Sequence, residues 1–245
     1  MRHILWTAEQ GGILFVSILI QIEDLCKVYN PGENEVRALD HVSLTVNTGE
    51  YVAIIGQSGS GKSTLMNMLG CLDVPSSGEY ILNGQNVSRL TDDELSDIRN
   101  QEIGFIFQGF NLIPSFTAVE NVELPLLYRG IGKRERHELA VKALEKVGLS
   151  KRMGHKPSEM SGGQQQRVAI ARAIAQAPPV ILADEPTGNL DSGSSKEIIQ
   201  ILKELHKEGR TVILITHDNE IAAQAKRVIR IKDGKIERDY ENEMD

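Results

Sequence analysis

The nine residues from Gly56 to Thr64 (GQSGSGKST) limit the possible folds of this chain more than any other segment. An apolar run, YVAII, comes immediately before them, and a helical apolar pattern continues after them. Glycines in this context let the N–H groups of the loop converge on phosphate oxygens at the positive end of a helix. An ordinary strand-to-helix turn is the alternative, and the complete spacing favours the phosphate loop. The residues expected to form the phosphate site are Gly56, Ser58, Gly59, Ser60, Gly61, Lys62, Ser63 and Thr64.

A regular alternation of apolar strands and helices follows Pro179. Strands are expected at Val180–Ala183, Thr211–Ile215 and Val228–Ile231, and helices at Ser192–Lys207 and Asn219–Lys226. Fully apolar strands that alternate with helices are typical of a parallel sheet covered on both faces. The sequence therefore predicts an α/β fold, with a phosphate-loop NTPase core whose parallel sheet is flanked by helices.

Two further regions interrupt or precede this core. Short β-type runs separated by turns, from residue 18 to about 88, predict an N-terminal antiparallel β subdomain. Helical patterns dominate from about residue 109 to 176 and predict an inserted α-helical subdomain. Within it, Thr117 and Glu120 have the spacing of a capping box, and Pro125 is expected to end or bend the helix that they open.

A pair of acidic residues supplies the second chemical signal. Asp184 and Glu185 follow the apolar run from Val180 (VILADE), at the carboxyl end of a predicted parallel strand. Ligands of α/β folds bind at that edge of the sheet, so both carboxylates are expected beside the phosphate loop. We expect Lys62 to reach the terminal phosphates, Ser63 and Asp184 to hold Mg²⁺, and Glu185 to polarise the attacking water. A solvated strand end is the alternative, and the complete phosphate loop argues against it.

A third motif, Ser161-Gly162-Gly163-Gln164, opens a helix with capping-box spacing and offers a second anion site. With all three motifs in this order, the chain resembles the nucleotide-binding subunits of ABC transporters. In that family this signature motif closes over the γ-phosphate of ATP held by the other protomer. Met160 stands where the usual signature has leucine, a mild apolar exchange.

The resemblance extends from about residue 20 to 238 and implies further roles. Tyr29 matches the aromatic residue that stacks on adenine, and Gln108 matches the glutamine that touches Mg²⁺ and water. Asp191 belongs to the loop (Asn189-Leu190-Asp191) that communicates across the dimer, and His217 matches the switch histidine at the γ-phosphate. The expected cofactors are ATP and Mg²⁺, and the expected catalytic residues are Glu185, His217, Lys62 and Gln108.

The same resemblance implies the partners. We expect an ATP-bound homodimer and an integral membrane permease on a separate chain, at the cytoplasmic face of a bacterial membrane. The segments IGFIFQGFNLIPSFTAVENVELPL and DEPTGNLD look most like the macrolide-exporter and lipoprotein-release branch. The alternative is a regulatory ATPase of the same family that gates a cell-wall hydrolase through a membrane partner without moving a substrate. A soluble ABC protein acting on DNA or ribosomes is disfavoured, because no coiled-coil insertion, zinc cysteines or second motor domain is present.

Composition narrows the functional classes. The 245 residues carry 27 Lys and Arg against 34 Asp and Glu, a net charge of −7. That balance argues against a general nucleic-acid binder, whose affinity depends on clustered cations. The two cysteines, Cys26 and Cys71, are far apart, so their spacing does not match a disulfide or zinc framework and fits a reducing cytosol.

The ends of the chain are expected to lie outside the ABC-type ATPase domain, which we place at residues 18–238. The apolar run Gly11–Ile22 is shorter than the roughly 20 residues that a membrane-spanning helix needs, so it predicts a strand from Ile18 and no intrinsic membrane span. Residues 1–17 are expected to be an N-terminal extension that is either disordered or a start-site artefact, with translation beginning near Val16. Residues 239–245 are expected to be an acidic, frayed tail.

Overall fold

The computed structural model describes residues 17–32 and 34–242. The expectations for Met1 to Phe15 and for a start near Val16 therefore lie outside the described residues. In the described part, no helix combines the length and the apolar character needed to cross a membrane.

Two sheets organise the structure. The smaller one has the strand order β2-β1-β4-β5, with every neighbouring pair antiparallel. Its strands are β1 (Ile18–Tyr29), β2 (Val36–Asn47), β4 (Ser77–Leu82) and β5 (Gln85–Asn86). This arrangement confirms the predicted antiparallel β subdomain.

The larger sheet has the order β10-β9-β3-β8-β7-β6, in which all pairs are parallel except the β9–β10 hairpin. Its strands are β3 (Tyr51–Ile55), β6 (Ile103–Ile106), β7 (Val180–Asp184), β8 (Thr211–Thr216), β9 (Arg227–Lys232) and β10 (Lys235–Glu241). Successive residues of β3 belong to different cores: Tyr51, Ala53 and Ile55 pack on one face, and Val52 and Ile54 on the other. Both faces of the central strands are thus covered, as continuous apolar runs require.

Seven α-helices and one 3₁₀ turn cover the sheets in the described residues. They are α1 (Lys62–Leu69), α2 (Asp92–Glu102), α3 (Ala118–Tyr128), α4 (Lys133–Lys146), the 3₁₀ turn (Pro157–Glu159), α5 (Gly162–Ile174), α6 (Ser192–Lys207) and α7 (Asn219–Ala222). Helices α3 to α5 lie in the connection between β6 and β7, and they share a core with the sheet face beneath them.

The structure differs from the sequence predictions at two helices. Helix α3 continues through Pro125 to Tyr128, so this proline does not end the helix, and the alternative expectation of a bend stays a prediction. Val122 and Leu126, on either side of it, are fully buried, and their packing offsets the backbone hydrogen bond that proline lacks. Helix α7 stops at Ala222, well before Lys226, whose N–H donates to the carbonyl of Tyr51 as the chain turns toward β9.

The predicted tail also begins differently. Residue 239 lies inside β10, which pairs with β9 up to Glu241. Asp239 forms a bidentate ion pair with Arg227, whose Nε donates to Oδ1 at 2.8 Å and whose Nη2 donates to Oδ2 at 2.7 Å. Regular structure therefore extends beyond the predicted boundary at 238, because the carboxylate of Asp239 in the edge strand pairs with Arg227 of the neighbouring strand.

Candidate functional site

The phosphate loop connects β3 to α1 and is shaped by two close approaches. A Cβ on Gly56 would lie 2.4 Å from the carbonyl oxygen of Ile231, and one on Gly61 would lie 2.6 Å from that of Ala38. Gly61 also has φ 104°, in the left-handed region where side chains are strained. Glycine is therefore required at both positions by neighbouring backbone.

The start of α1 is left open to an anion. Its N-cap residue, Gly61, has no side chain that could cap the helix, and the first turn carries no acidic residue. The Nζ of Lys62 instead donates to the carbonyls of Gly56 at 2.7 Å and Gln57 at 2.9 Å, so the ammonium is held over the loop. Free amide groups, the positive helix end and one ammonium make this an anion site.

Asp184 and Glu185 stand at the carboxyl end of β7, as predicted. Burial, and then the neighbouring Glu185 charge, raise the pKa of Asp184 above its ordinary value, while Lys62 opposes the rise. Two adjacent, half-buried carboxylates with one nearby ammonium make a site that a further cation would stabilise.

Glu185 is held in an uncommon backbone conformation by its surroundings. Its φ of 43° is left-handed, and its N–H donates to the carbonyl of Ile215 at 2.9 Å. The carboxylate accepts from the His217 backbone N–H at 3.0 Å and lies 2.6 Å from His217 Nδ1. Thr216 donates its hydroxyl to the second oxygen at 3.3 Å. Strain of this kind persists where surrounding contacts enforce it, and it points the carboxylate toward the cleft.

Gln108 enters the site from the end of β6. Its Nε2 donates to Asn189 Oδ1 at 3.4 Å, and Asn189 Nδ2 donates back to the Gln108 carbonyl at 3.0 Å. A Cβ on Gly188 would lie 2.6 Å from Gln108 Nε2, so the two loops are in direct contact. Gln108 is thereby linked to the loop that follows Glu185.

These groups line one cleft of about 740 Å³. Of the predicted residues, it brings together Ser58, Gly59, Gly61, Lys62, Ser63, Thr64, Gln108, Asp184, Glu185 and His217. Gly56 and Ser60 shape the loop from beneath. Ser60 is 6% exposed, and its hydroxyl has no partner among the described residues.

The cleft also contains residues that the sequence motifs did not identify. Its remaining lining consists of Val36, Arg37, Ala38, Asp233 and Gly234. They come from β2 and the β9–β10 turn. The only signal for any of them was the Asp-Gly turn, which indicates a hairpin and not a ligand site.

Three predicted elements are not part of the lining of this cleft in the described structure. Tyr29 donates its hydroxyl to Asp73 Oδ2 at 2.9 Å, and the Nζ of Lys27 lies 5.0 Å from the centre of its ring. Asp191 caps α6, because its Oδ1 accepts from the N–H groups of Gly193 and Ser194, each at 2.9 Å. Neither residue lines the cleft of its own chain.

The signature motif is the third such element. Ser161 Oγ accepts from the N–H of Gln164 at 3.3 Å, and Gln164 Oε1 accepts from the Ser161 N–H at 3.0 Å, which confirms the capping box. A Cβ on Gly163 would lie 2.6 Å from Ser194 Oγ, so α5 and α6 touch at their starts. Ser161 is exposed, which leaves this helix start accessible to another molecule.

Comparisons with known proteins agree with this geometry. A family model described as "ABC transporter" matches residues 39–188, and one described as an AAA domain matches residues 154–223. The macrolide export ATP-binding/permease protein MacB of Hyphomonas neptunium is 59% identical over 226 residues, 92% of this chain and 35% of that protein. The pyoverdine export ATP-binding/permease protein PvdT of Pseudomonas fluorescens is 55% identical, over 92% of this chain and 34% of that protein. The chain thus spans about a third of the length of the curated relatives it matches.

A solved structure covers the chain more completely. The dimeric ATP-binding cassette MJ0796, in a post-hydrolysis state bound to ADP and Pi, is 46% identical. The match covers 93% of this chain and 100% of that chain, with a TM-score of 0.85. Because the ABC transporter model covers more than half of the chain, including the phosphate loop and the acidic pair, the chain belongs to the ABC transporter family and corresponds to its ATPase domain.

Proposed function

We propose that the chain binds MgATP in the cleft, hydrolyses it with Glu185 as general base, and powers a membrane permease of the export or lipoprotein-release type. The observation that carries this proposal is the convergence of an uncapped helix start, Lys62, two carboxylates and His217 on one cleft. These are the parts that phosphoryl transfer to water requires: charge stabilisation, a metal site and a group that orients water.

The oxygen-bearing side chains of the cleft are suitable ligands for a magnesium ion. The Ser63 hydroxyl, the Asp184 carboxylate and the Gln108 amide oxygen would hold it, and all three line the cleft. Oxygen ligands of this kind suit Mg²⁺. When bound, the ion neutralises phosphate charge and orients the triphosphate. The rise in the pKa of Asp184 through burial and through Glu185 supports the assignment, because a cation nearby favours both charged forms.

Glu185 is the group best placed to orient and deprotonate the attacking water. One of its oxygens accepts from the backbone N–H of His217, and the other from Thr216. These contacts fix the carboxylate while leaving lone pairs for water. His217 is 72% exposed at its side chain, so it can leave Glu185 and contact a terminal phosphate without breaking core packing.

We infer that hydrolysis takes place between two copies of the chain. Ser161 and Gln164 form the capping box at the start of α5, and neither lines the cleft of the same chain. The exposed Ser161 leaves this helix start, the second candidate anion site, accessible to another molecule. A two-fold pair would place this signature helix of one copy against the phosphates held by the other. The dimeric state of the similar cassette MJ0796 supports the same arrangement.

A groove of about 610 Å³ between the core and helices α2, α3 and α5 is the proposed docking site for the permease. It contains the stacked rings of Phe105 and Phe107, whose centroids lie 5.4 Å apart, and the exposed side chains of Leu72 and Tyr128. An apolar groove with a polar rim suits a short cytoplasmic helix of a membrane protein. With a permease helix docked in this groove, we expect the chain to lie at the cytoplasmic face of the membrane.

The names of the relatives support an export function over regulation of a cell-wall hydrolase. MacB and PvdT are named as macrolide and pyoverdine export proteins. We expect the cargo of this chain to be a peptide, a lipoprotein or a hydrophobic antibiotic. Co-purification from native membranes would identify the permease, and substrate movement in vesicles would separate export from regulation. An interacting permease without any ATP-dependent substrate movement would favour the regulatory role.

The enzymatic part is tested by Glu185→Gln. We expect phosphate release to fall by at least about 100-fold while ATP binding persists, since positioning and charge stabilisation remain. Glu145→Gln, on the exposed surface of α4, is the matched control and should hydrolyse at the wild-type rate. Equal activity of both variants would rule out Glu185 as the base.

A further inference from the structure

A cluster of potential metal ligands lies on the antiparallel sheet, among residues that do not line the nucleotide cleft. The pairing of β1 with β2 is irregular between Ile22 and Leu25 and again between Leu25 and Lys27. Asp24 and His41, which belong to this irregular region, both have left-handed backbones, with φ of 51° and 53°. The irregularity brings side chains of both strands together at one point on the sheet.

We propose that Cys26, His41 and Asp40 form a binding site for a thiophilic divalent cation such as Zn²⁺, with Asp24 orienting His41. One ligand atom from each of the three residues lies within 4.8 Å of the other two. Ligands of a tetrahedral zinc ion, with bonds of about 2.0–2.3 Å, are separated by roughly 3.3–3.8 Å. His41 Nε2 and Asp40 Oδ1 already lie 3.8 Å apart, so the site needs little rearrangement to close around an ion.

The histidine is oriented as a ligand. Its Nδ1 lies 2.7 Å from Asp24 Oδ1, and an ionised carboxylate can only accept, so Nδ1 carries the proton. The lone pair of the neutral ring is then on Nε2, the atom nearest Asp40. A carboxylate behind a ligating histidine is the usual outer partner at zinc sites, where it fixes the tautomer and the ring direction.

The cysteine is also positioned as a metal ligand. Cys26 is 7% exposed, and its sulfur accepts the backbone N–H of His41 at 3.3 Å. Thiolate is the form of cysteine that binds metal. Binding would release the thiol proton to solvent and form the metal–sulfur bond in its place. Sulfur together with imidazole favours zinc over the harder Mg²⁺ that the cleft is expected to hold.

Two basic side chains that contact Asp40 compete with the divalent ion and lower the affinity of the site for it. The carboxylate of Asp40 contacts Arg37 Nη1 at 3.1 Å and Lys235 Nζ at 2.9 Å. Both cations are more than half exposed, so each can return to solvent when a divalent ion takes an oxygen. With three protein ligands, the fourth position is left to water. We therefore expect weaker binding than at a four-cysteine structural site.

The spacing of the two cysteines gave no sign of this site. The ligands come from two different strands, and their proximity depends on the strand irregularity. Cys71, at the end of α1, is equally buried and is not part of the cluster. The chain therefore contains its own control thiol.

The test uses the full chain without nucleotide and Co²⁺ as the probe. A thiolate-to-cobalt absorption band is expected in the wild type and in Cys71→Ser, and it should be lost in Cys26→Ser. Zn²⁺ should displace the cobalt, and Asp24→Asn should weaken binding by about 10–100-fold, as removal of an outer partner does. His41→Gln, at an exposed side chain, gives a second ligand variant if Cys26→Ser folds poorly by circular dichroism.

A wild type without the band would overturn the proposal. So would a band that survives both Cys26→Ser and His41→Gln, or one that Cys71→Ser removes from folded protein. Because nucleotide is absent, none of these outcomes bears on ATP hydrolysis in the cleft.

Discussion

Gln166 joins the signature helix to both catalytic loops, and its replacement by methionine tests that link quantitatively. The side chain is fully buried in α5. Its Nε2 donates to the carbonyl of Pro186 at 2.7 Å and to that of Phe107 at 3.3 Å, while its Oε1 has no partner in the described structure. Pro186 follows Glu185 and Phe107 precedes Gln108, so one amide group positions both loops.

The expected change in the free energy of unfolding depends on the amide NH₂ being hydrogen-bonded while the amide oxygen is not. Methionine has a similar size, so the packing is kept while one buried and one partly buried carbonyl lose their donor, at about 1–3 kcal/mol each. Removing the unpartnered Oε1 stabilises the variant by a similar amount, because a buried oxygen without a hydrogen bond is no longer desolvated. We therefore expect Gln166→Met to lower the free energy of unfolding by about 2 kcal/mol. Gln166→Glu places a carboxylate against two carbonyls, and we expect a loss of at least about 3 kcal/mol.

Urea denaturation followed by circular dichroism measures both variants. The control is Gln200→Met on the exposed side of α6, which should stay within about 0.5 kcal/mol of the wild type. The reasoning is refuted if Gln166→Met is as stable as the wild type, or if the glutamate variant is no less stable than the methionine variant.

Three further predictions concern single residues of the site. Gly61→Ala should lower the free energy of unfolding by at least about 2 kcal/mol in a urea titration, because it combines a left-handed backbone with a contact to the Ala38 carbonyl; wild-type stability would contradict this. Lys62→Met should reduce kcat/KM for phosphate release by at least about 100-fold, since one preorganised charge is lost; unchanged turnover would count against the phosphate site. Hydrogen bonds from the N–H and hydroxyl of Ser194 come first among the causes that lower the pKa of Asp191. The stability that this cap contributes is therefore present above about pH 4 and is lost as the pH falls through the lowered pKa of Asp191. An asparagine at this position does not titrate, so Asp191→Asn should lose less stability below pH 4 than the wild type in an acid titration followed by circular dichroism. An identical acid profile for the variant would refute the role of the cap.

The motifs of the phosphate site could be predicted from the sequence because each requires particular residues next to a strand end. Gly61 and Glu185 illustrate this: the loop glycine meets neighbouring backbone, and the carboxylate follows an apolar strand. Parallel strand ends meet at one edge, so motifs that are far apart along the chain still converge. The fold class followed from the same apolar runs.

Features that depend on tertiary contacts could not be predicted in this way. Pro125 lies within a helix because burial of Leu126 outweighs a missing hydrogen bond. Asp239 lies in a strand because its carboxylate forms an ion pair with Arg227 of the neighbouring strand. Arg37 lines the cleft only because β2 folds over the phosphate loop, and no local pattern encodes that approach.

The central claim is that ATP is held between the cleft of one copy and the signature helix of another. Its most direct test compares Glu185→Gln with the double variant Glu185→Gln, Ser161→Arg by size measurement in ATP. We predict that the single variant forms a dimer, and that the double variant remains a monomer while each chain still binds nucleotide. A double variant that dimerises as well as the single one would contradict the account.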